Sequence, residues 1–238
     1  MFNDSKMTDF EKFAVGHRGI NHLALNDFLN KSYNKTPMIQ ATMTPYIMEE
    51  RQLNVAQVDV FSRLMMERII WLFGPVEDFN TTVIQAQLMY LESVDSKKDI
   101  SIHIDSPGGS VVAGLKLLDI MDFVKCDIST VNTGMAASMG SVLLGAGKKG
   151  KRRTLRHSKT MIHQSSGGAV GNIQDARIMM EEWEGYNAEL FRLLGEFCGK
   201  TPEQVIQDAE RDKWLNADKA LAYGIVDEII TTNKGAKK

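Results

Sequence analysis

The chain has 238 residues, with 28 Lys and Arg against 30 Asp and Glu and 43% apolar residues. Such a composition excludes global disorder, and a formal charge of −2 removes the simple electrostatic case for a nucleic-acid binder or a polybasic membrane binder. No apolar run approaches the ~18 residues of a membrane span, Ile69-Ile70-Trp71-Leu72-Phe73 being among the longest.

Residues 1–44 read as an N-terminal extension with one or two marginal helices, and residues 45–238 as one α/β domain. After Pro45, Val55, Val58, Phe61, Leu64 and Met65 recur at helical spacing, and Arg68 to Phe73 is a short run stopped by Gly74-Pro75, as a buried strand would be. Asn80 to Leu91 fits a helix, Ile100 to Ile104 a strand, and Pro107-Gly108-Gly109 opens a helix over Val111 to Phe123. A strand around Ile128 to Val131, a helix-like Ala136 to Leu144 and a strand at Thr160 to His163 follow. Ile173 to Phe197 is long enough for about seven helical turns. Thr201-Pro202-Glu203-Gln204 supplies a capping box for the next helix, and Ile225 to Ile230 closes as a strand. Alternating strands and helices argue a mainly parallel sheet.

Several motifs imitate chemistry. Gly145, Gly147 and Gly150 fit a nucleotide-binding spacing, but they follow the apolar end of a helix, where glycine serves as a cap, instead of opening one. Lys148, Lys149, Lys151, Arg152 and Arg153 read as a solvated turn between helix and strand. The five histidines show no metal-ligand spacing, and Cys126 and Cys198 form neither a ligand pair nor a disulfide framework, which suits a reducing, cytoplasmic setting. Met1 to Lys12 lacks the apolar stretch of a secretory signal.

Four segments carry more. Thr133 to Ser141 places Ser138 among small residues where a strand turns into a helix; this suits a nucleophile on a sharp turn and equally suits close helix packing. At Asp105-Ser106-Pro107-Gly108-Gly109-Ser110, consecutive glycine N–H groups form either an oxyanion hole or a tight turn. His163 ends an apolar strand, and Asp212 lies in Glu210-Arg211-Asp212-Lys213-Trp214, which alone reads as surface charge.

In this order the four segments resemble the Clp protease proteolytic subunit family. Phe61-Ser62-Arg63-Leu64, Glu67-Arg68-Ile69-Ile70, Gly150-Lys151-Arg152 and Ala222-Tyr223-Gly224-Ile225-Val226-Asp227 also look like that family's blocks. The separations of 25 residues from Ser138 to His163 and 49 from His163 to Asp212 match as well. The resemblance implies a crotonase-like fold of repeated β-β-α and βαβ units with a protruding handle helix, and a serine endopeptidase. Ser138 would be its nucleophile, His163 its general base and Asp212 the orienting acid, with the N–H groups of Gly108 and Met139 as oxyanion donors. Extended substrate would add as a strand near Gly109, Ser110 and Val111 and near Gly167 and Gly168.

The resemblance implies no metal and no organic cofactor. It implies two stacked seven-membered rings and an AAA+ unfoldase that feeds unfolded polypeptide into the enclosed chamber. The handle would be Ile173 to Phe197, with Met179, Met180, Trp183, Tyr186 and Phe191 between subunits. Three departures stand out: Ser165-Ser166 after His163-Gln164 where the family usually has proline, which would loosen the loop beside the histidine; Ser101 and His103 where many members have tyrosines at the unfoldase dock; and about 40 residues ahead of Thr44, which the resemblance reads as a propeptide or a pore-lining segment. Two other readings stay open: a catalytically idle ring partner, and an acyl-CoA enzyme of the same fold.

Overall fold

The computed structural model describes residues 46–51, 54–166 and 172–231, and the chain divides into two units, Met1–Asp59 and Val60–Lys238. The helices expected before residue 40 lie outside the described residues. In the first unit β1 (Tyr46–Arg51) and β2 (Asn54–Asp59) pair antiparallel, Tyr46 opposite Asp59 and Arg51 opposite Asn54. The helix expected over Val55 to Met65 is therefore confined to α1 (Val60–Met66). Val55 and Val58 match a helical period by separation, but β-branched residues that have a partner strand gain more from the ladder.

The second unit is built on a sheet in the order β3-β4-β5-β6-β9, with β7 joined to β5 and β8 to β7. All its pairings are parallel except β7 with β8. Two βαβ units open it. β3 (Ile69–Phe73) leads through α2 (Asp78–Val94) to β4 (Ile100–Ser106), and α3 (Val111–Phe123) leads on to β5 (Ile128–Ala137). Along β4 the side chains of Ile100, Ile102, Ile104 and Ser106 are buried in strict alternation, and the isoleucines join Leu88, Leu117 and Leu144 in one core. Arg68, at φ 64, turns the chain into β3, and its guanidinium donates to the carbonyls of Leu91, Lys98 and Asp99 at 2.9–3.0 Å. That one side chain ties the α2–β4 connection to the start of the sheet.

β5 is longer than its sequence suggests. Ala136 and Ala137 end the strand, and α4 (Met139–Gly145) starts after Ser138, so the helix expected from Ala136 begins three residues later. Ile104 pairs with Asn132 but Ser106 pairs with Ala136, a bulge on β5 that Asp105 bridges by accepting the Met135 N–H at 3.0 Å. Below the bulge β5 pairs with β6 (Arg152–Leu155), and above it with β7 (Lys159–Ile162). Asn132 stands at the junction and donates to Lys159 O at 2.9 Å and to Thr160 Oγ1 at 3.2 Å.

The basic cluster is only partly a solvated turn. Lys148, Lys149 and Lys151 reach solvent, but Arg152 lies in β6 with its side chain 1% exposed and grips Asp227 through Nε at 2.8 Å and Nη2 at 2.6 Å. Its Nη1 donates to Phe197 O at 2.8 Å. Burial works to raise the Asp227 carboxyl. The Arg152 hydrogen bonds and charge, with the Gly150 N–H, override it and hold the group at about 2, below its ordinary 3.8. Asp227→Ala is expected to cost about 3–5 kcal/mol in urea unfolding at neutral pH, because it strands a buried guanidinium. With the folded value below the unfolded one, the stability due to Asp227 is complete above 3.8 and fades as pH falls through about 2. Unfolding of Asp227→Asn should therefore be less steeply acid-dependent in that window than that of the parent.

The C-terminal part runs through α5 (Ile173–Cys198), α6 (Pro202–Asp208), β8 (Lys213–Asn216), α7 (Ala217–Tyr223) and β9 (Glu228–Ile230). Thr201 and Gln204 form the expected capping box on α6. The last strand starts at Glu228, since Ile225 and Val226 belong to the core ahead of it. Phe191 of α5 is 7% exposed and packs in the core, not between subunits as expected. Among the described residues no helix is long and apolar enough to cross a membrane.

Candidate active site

Ser138 joins the end of β5 to the N-terminus of α4 at φ 53 and ψ −125. A non-glycine residue in such a conformation costs on the order of 1–3 kcal/mol and persists only where its surroundings over-determine it. Here the Ser138 N–H donates to Met161 O at 2.9 Å, and Ser138 O accepts from the N–H of Ser141 at 2.9 Å and from its hydroxyl at 2.7 Å. The Met139 side chain runs inward to α3, where a Cβ on Gly114 would stand 2.6 Å from its sulfur. The turn therefore presents the serine side chain outward.

The β7–β8 ladder places the other two groups. Ile162 and Lys213 form the last pair of this antiparallel ladder, and His163 and Asp212 each stand one residue beyond it. His163 Nδ1 is 3.2 Å from Asp212 Oδ1, and His163 Nε2 is 2.9 Å from Ser138 Oγ. An ionised carboxylate only accepts hydrogen bonds, so it selects the imidazole tautomer with the proton on Nδ1 and turns the Nε2 lone pair to the serine hydroxyl. Asp212 is 62% exposed at its side chain and His163 23%. The row Ser138–His163–Asp212 is able to take a proton from the hydroxyl and hand it on to a leaving group.

Gly108 lies against this turn at φ 93, and a Cβ there would stand 2.6 Å from Ser138 Cβ and 2.7 Å from Ala137 O. Glycine alone fits the approach. In this conformation the Gly108 N–H donates to Ser106 Oγ at 3.1 Å. Gly109 forms a parallel bridge with Val76: Val76 N–H donates to Gly108 O and Ser110 N–H to Val76 O, each at 2.8 Å. Because alternate residues of a strand face opposite edges, the N–H and C=O of Gly109 point away from Val76. Ser110 caps α3, and Val111 is its first residue, so the extended backbone expected over Gly109 to Val111 stops at Ser110.

Val111 enters instead as a wall of a cleft of about 320 Å³ with Gly109, Ser110, Ser138, Ser165, Trp183 and Tyr186. Trp183 and Tyr186, expected between subunits, line this cleft beside Ser138, and their three-residue spacing on α5 is the sequence signal for a shared face. Gly167 and Gly168 lie outside the described residues. Burial pushes the Cys198 thiol up to about 11, so it stays protonated near neutral pH and offers no competing nucleophile.

A strained serine on a strand-to-helix turn, an imidazole within hydrogen-bond distance of both that serine and a carboxylate, and a glycine loop against the serine thus lie together. The family model described as Clp protease matches residues 51–233. The ATP-dependent Clp protease proteolytic subunit of Porphyromonas gingivalis is 49% identical over 228 residues, which cover 96% of this chain and all of that one. The protein of the same name from Bacteroides fragilis is 48% identical over 94% of this chain and 99% of its own, and that from Bacteroides thetaiotaomicron 47% identical over the same shares. The chain belongs to the Clp protease family and is a peptidase. Because the first of these alignments spans 228 of 238 residues, the segment ahead of Thr44 is largely shared with that relative instead of being peculiar to this chain.

Proposed function

We propose that the chain is a serine endopeptidase in which Ser138 attacks the scissile carbonyl, His163 takes the serine proton and returns it to the leaving amine, and Asp212 holds the imidazole and stabilises its charged form. The observation that carries this reading is the position of His163, within hydrogen-bond distance of both Ser138 Oγ and Asp212 Oδ1. The oxyanion would be met by Met139 N–H at the start of α4 and by Gly108 N–H once substrate displaces its bond to Ser106. Gly109, with its backbone groups facing away from Val76, and Ser110 would receive extended peptide as an added strand. Gly167 and Gly168 would supply the opposite edge.

The wider setting is an assembly of two stacked seven-membered rings in the cytoplasm, fed with unfolded polypeptide by an AAA+ unfoldase of the Clp type. Ile173, Ile178, Met179 and Met180 on the N-terminal half of α5 are exposed, with Ile173 at 73%, and these apolar side chains around the helix support subunit contact. At the dock expected around Ser101 and His103, the His103 ring tilts against Trp71 at 5.1 Å, and Phe61 stacks on Phe73 at 5.5 Å. Burial lowers the His103 imidazole from its ordinary value, which keeps this aromatic surface uncharged near neutral pH. Cys126 and Cys198 are free thiols, in keeping with a reducing compartment.

Labelling with a fluorophosphonate tests the reading. The purified protein is expected to gain one adduct per chain, located at Ser138 by peptide mass, with none on Ser138→Ala. An unlabelled parent that still assembles would favour the idle ring partner.

A further inference from the structure

We propose that Asn187, on α5, is a positioning residue for His163 that acts through Ser165; the proposal rests on the reading of Ser138, His163 and Asp212 as the catalytic set. The sheet supports His163 only on its N-terminal side, because β7 ends at Ile162. Beyond it, Gln164 N–H donates to Ala209 O at 3.1 Å, and then Ser165 meets α5: its N–H and its hydroxyl both donate to Asn187 Oδ1, each at 2.8 Å. One amide oxygen thereby uses both lone pairs on a single residue, which fixes Ser165 in position and in rotamer. A proline at 165, with neither donor, could form neither bond. The loosening expected beside His163 from this departure is therefore offset by a contact of the chain's own.

The placement matters for the chemistry. Ser165 is two residues from the imidazole and lines both the cleft beside Ser138 and the recess beneath it that His163, Val111 and Leu190 also line. Asn187 is one helical turn beyond Trp183 and adjacent to Tyr186, both of which line that cleft. If Ser165 swings away from α5, only the bonds of Gln164 to Ala209 O and Glu210 O remain on that side of His163, and the 2.9 Å approach of Nε2 to Ser138 Oγ is held less firmly. Misplacement of a reacting group by about 1 Å costs on the order of 10²-fold in rate, so partial release should fall below that.

The experiment compares Asn187→Leu, Asn187→Asp and Ser165→Ala in the assembled protein, with Ser138→Ala as reference. Asn187→Leu keeps the size but removes the acceptor and is expected to lower both kcat on a short fluorogenic peptide and the fluorophosphonate labelling rate by about 10-fold, with KM changed less than about 3-fold. Asn187→Asp keeps both lone pairs in place and should restore the parental rates to within about 3-fold, while Ser165→Ala, which keeps the N–H bond, should fall between. Parental rates in Asn187→Leu, or equal losses in the Leu and Asp variants, would overturn the proposal. A loss confined to KM would do the same, because it would make Asn187 part of the cleft wall only. Activity persisting in Ser138→Ala would instead defeat the catalytic reading. An inactive Ser138→Ala beside a fully active Asn187→Leu defeats the positioning role alone. Assembly size and melting temperature of each variant separate these losses from misfolding.

Discussion

Ser138→Ala and His163→Ala are each expected to lower kcat on short peptides by about 10⁶-fold, and the double variant should be no slower than either. In the proposed mechanism nucleophile and base act as one unit: the hydroxyl is a weak nucleophile until Nε2, 2.9 Å away, takes its proton. Removing one therefore makes the other idle, and what remains is the contribution of binding and of the oxyanion donors. Asp212→Asn should cost less than either, because the carboxylate is 62% exposed and water competes for its bond to Nδ1. The check is single-turnover kinetics with active sites counted by fluorophosphonate. Multiplicative losses in the double variant would mean that the two residues act in separate steps.

Gly108→Ala is expected to lower kcat/KM by about 10³-fold, at the upper end of the loss for an oxyanion donor. Two effects combine. At φ 93 an alanine is strained, and its Cβ would stand 2.6 Å from Ser138 Cβ and 2.7 Å from Ala137 O, so the added methyl group would displace the proposed donor and the proposed nucleophile together. Ser106→Ala provides the contrast, since it removes the hydroxyl that occupies the Gly108 N–H at 3.1 Å without filling any space. Its kcat/KM should stay within a few-fold of the parent. A peptide boronate, as a mimic of the tetrahedral intermediate, should lose affinity for Gly108→Ala in step with kcat/KM, while a ground-state peptide keeps its own. Equal losses for the two ligands would assign Gly108 to substrate binding.

Much of the fold was legible in the sequence because several elements end where local chemistry makes them end. The capping box at Thr201 and Gln204, the helix from Val111 to Phe123 and the run stopped by Gly74-Pro75 all follow from rules that act over a few residues. What stayed hidden depends on partners far away in the chain. Arg152 reads as solvated until Asp227, 75 residues on, closes over it. β8 has a single buried side chain, Leu215, too few to set up a period, and only its pairing with β7 makes it a strand. Ala136 and Ala137 fit a helix by composition, yet the bulge bridged by Asp105 carries β5 through them. The ordered blocks pointed to Ser138, His163 and Asp212, but no residue pattern announced that Ser165 would find Asn187.

The division of β5 between two neighbours has a bearing on how the protein can change. The strand forks at Asn132: one branch stays with β6 and the core, while the other, with β7 and β8, carries Ser138, His163 and Asp212 at three adjacent strand ends. Their separations are accordingly set by inter-strand spacing, a quantity of about 4.8 Å that neither helix packing nor surface loops adjust freely. Insertions between Lys148 and Gly150 or at the tip of α2 should leave the reaction untouched. A one-residue slip of β8 along β7 would bring Arg211 or Lys213 opposite His163 and put a cation where the acid belongs.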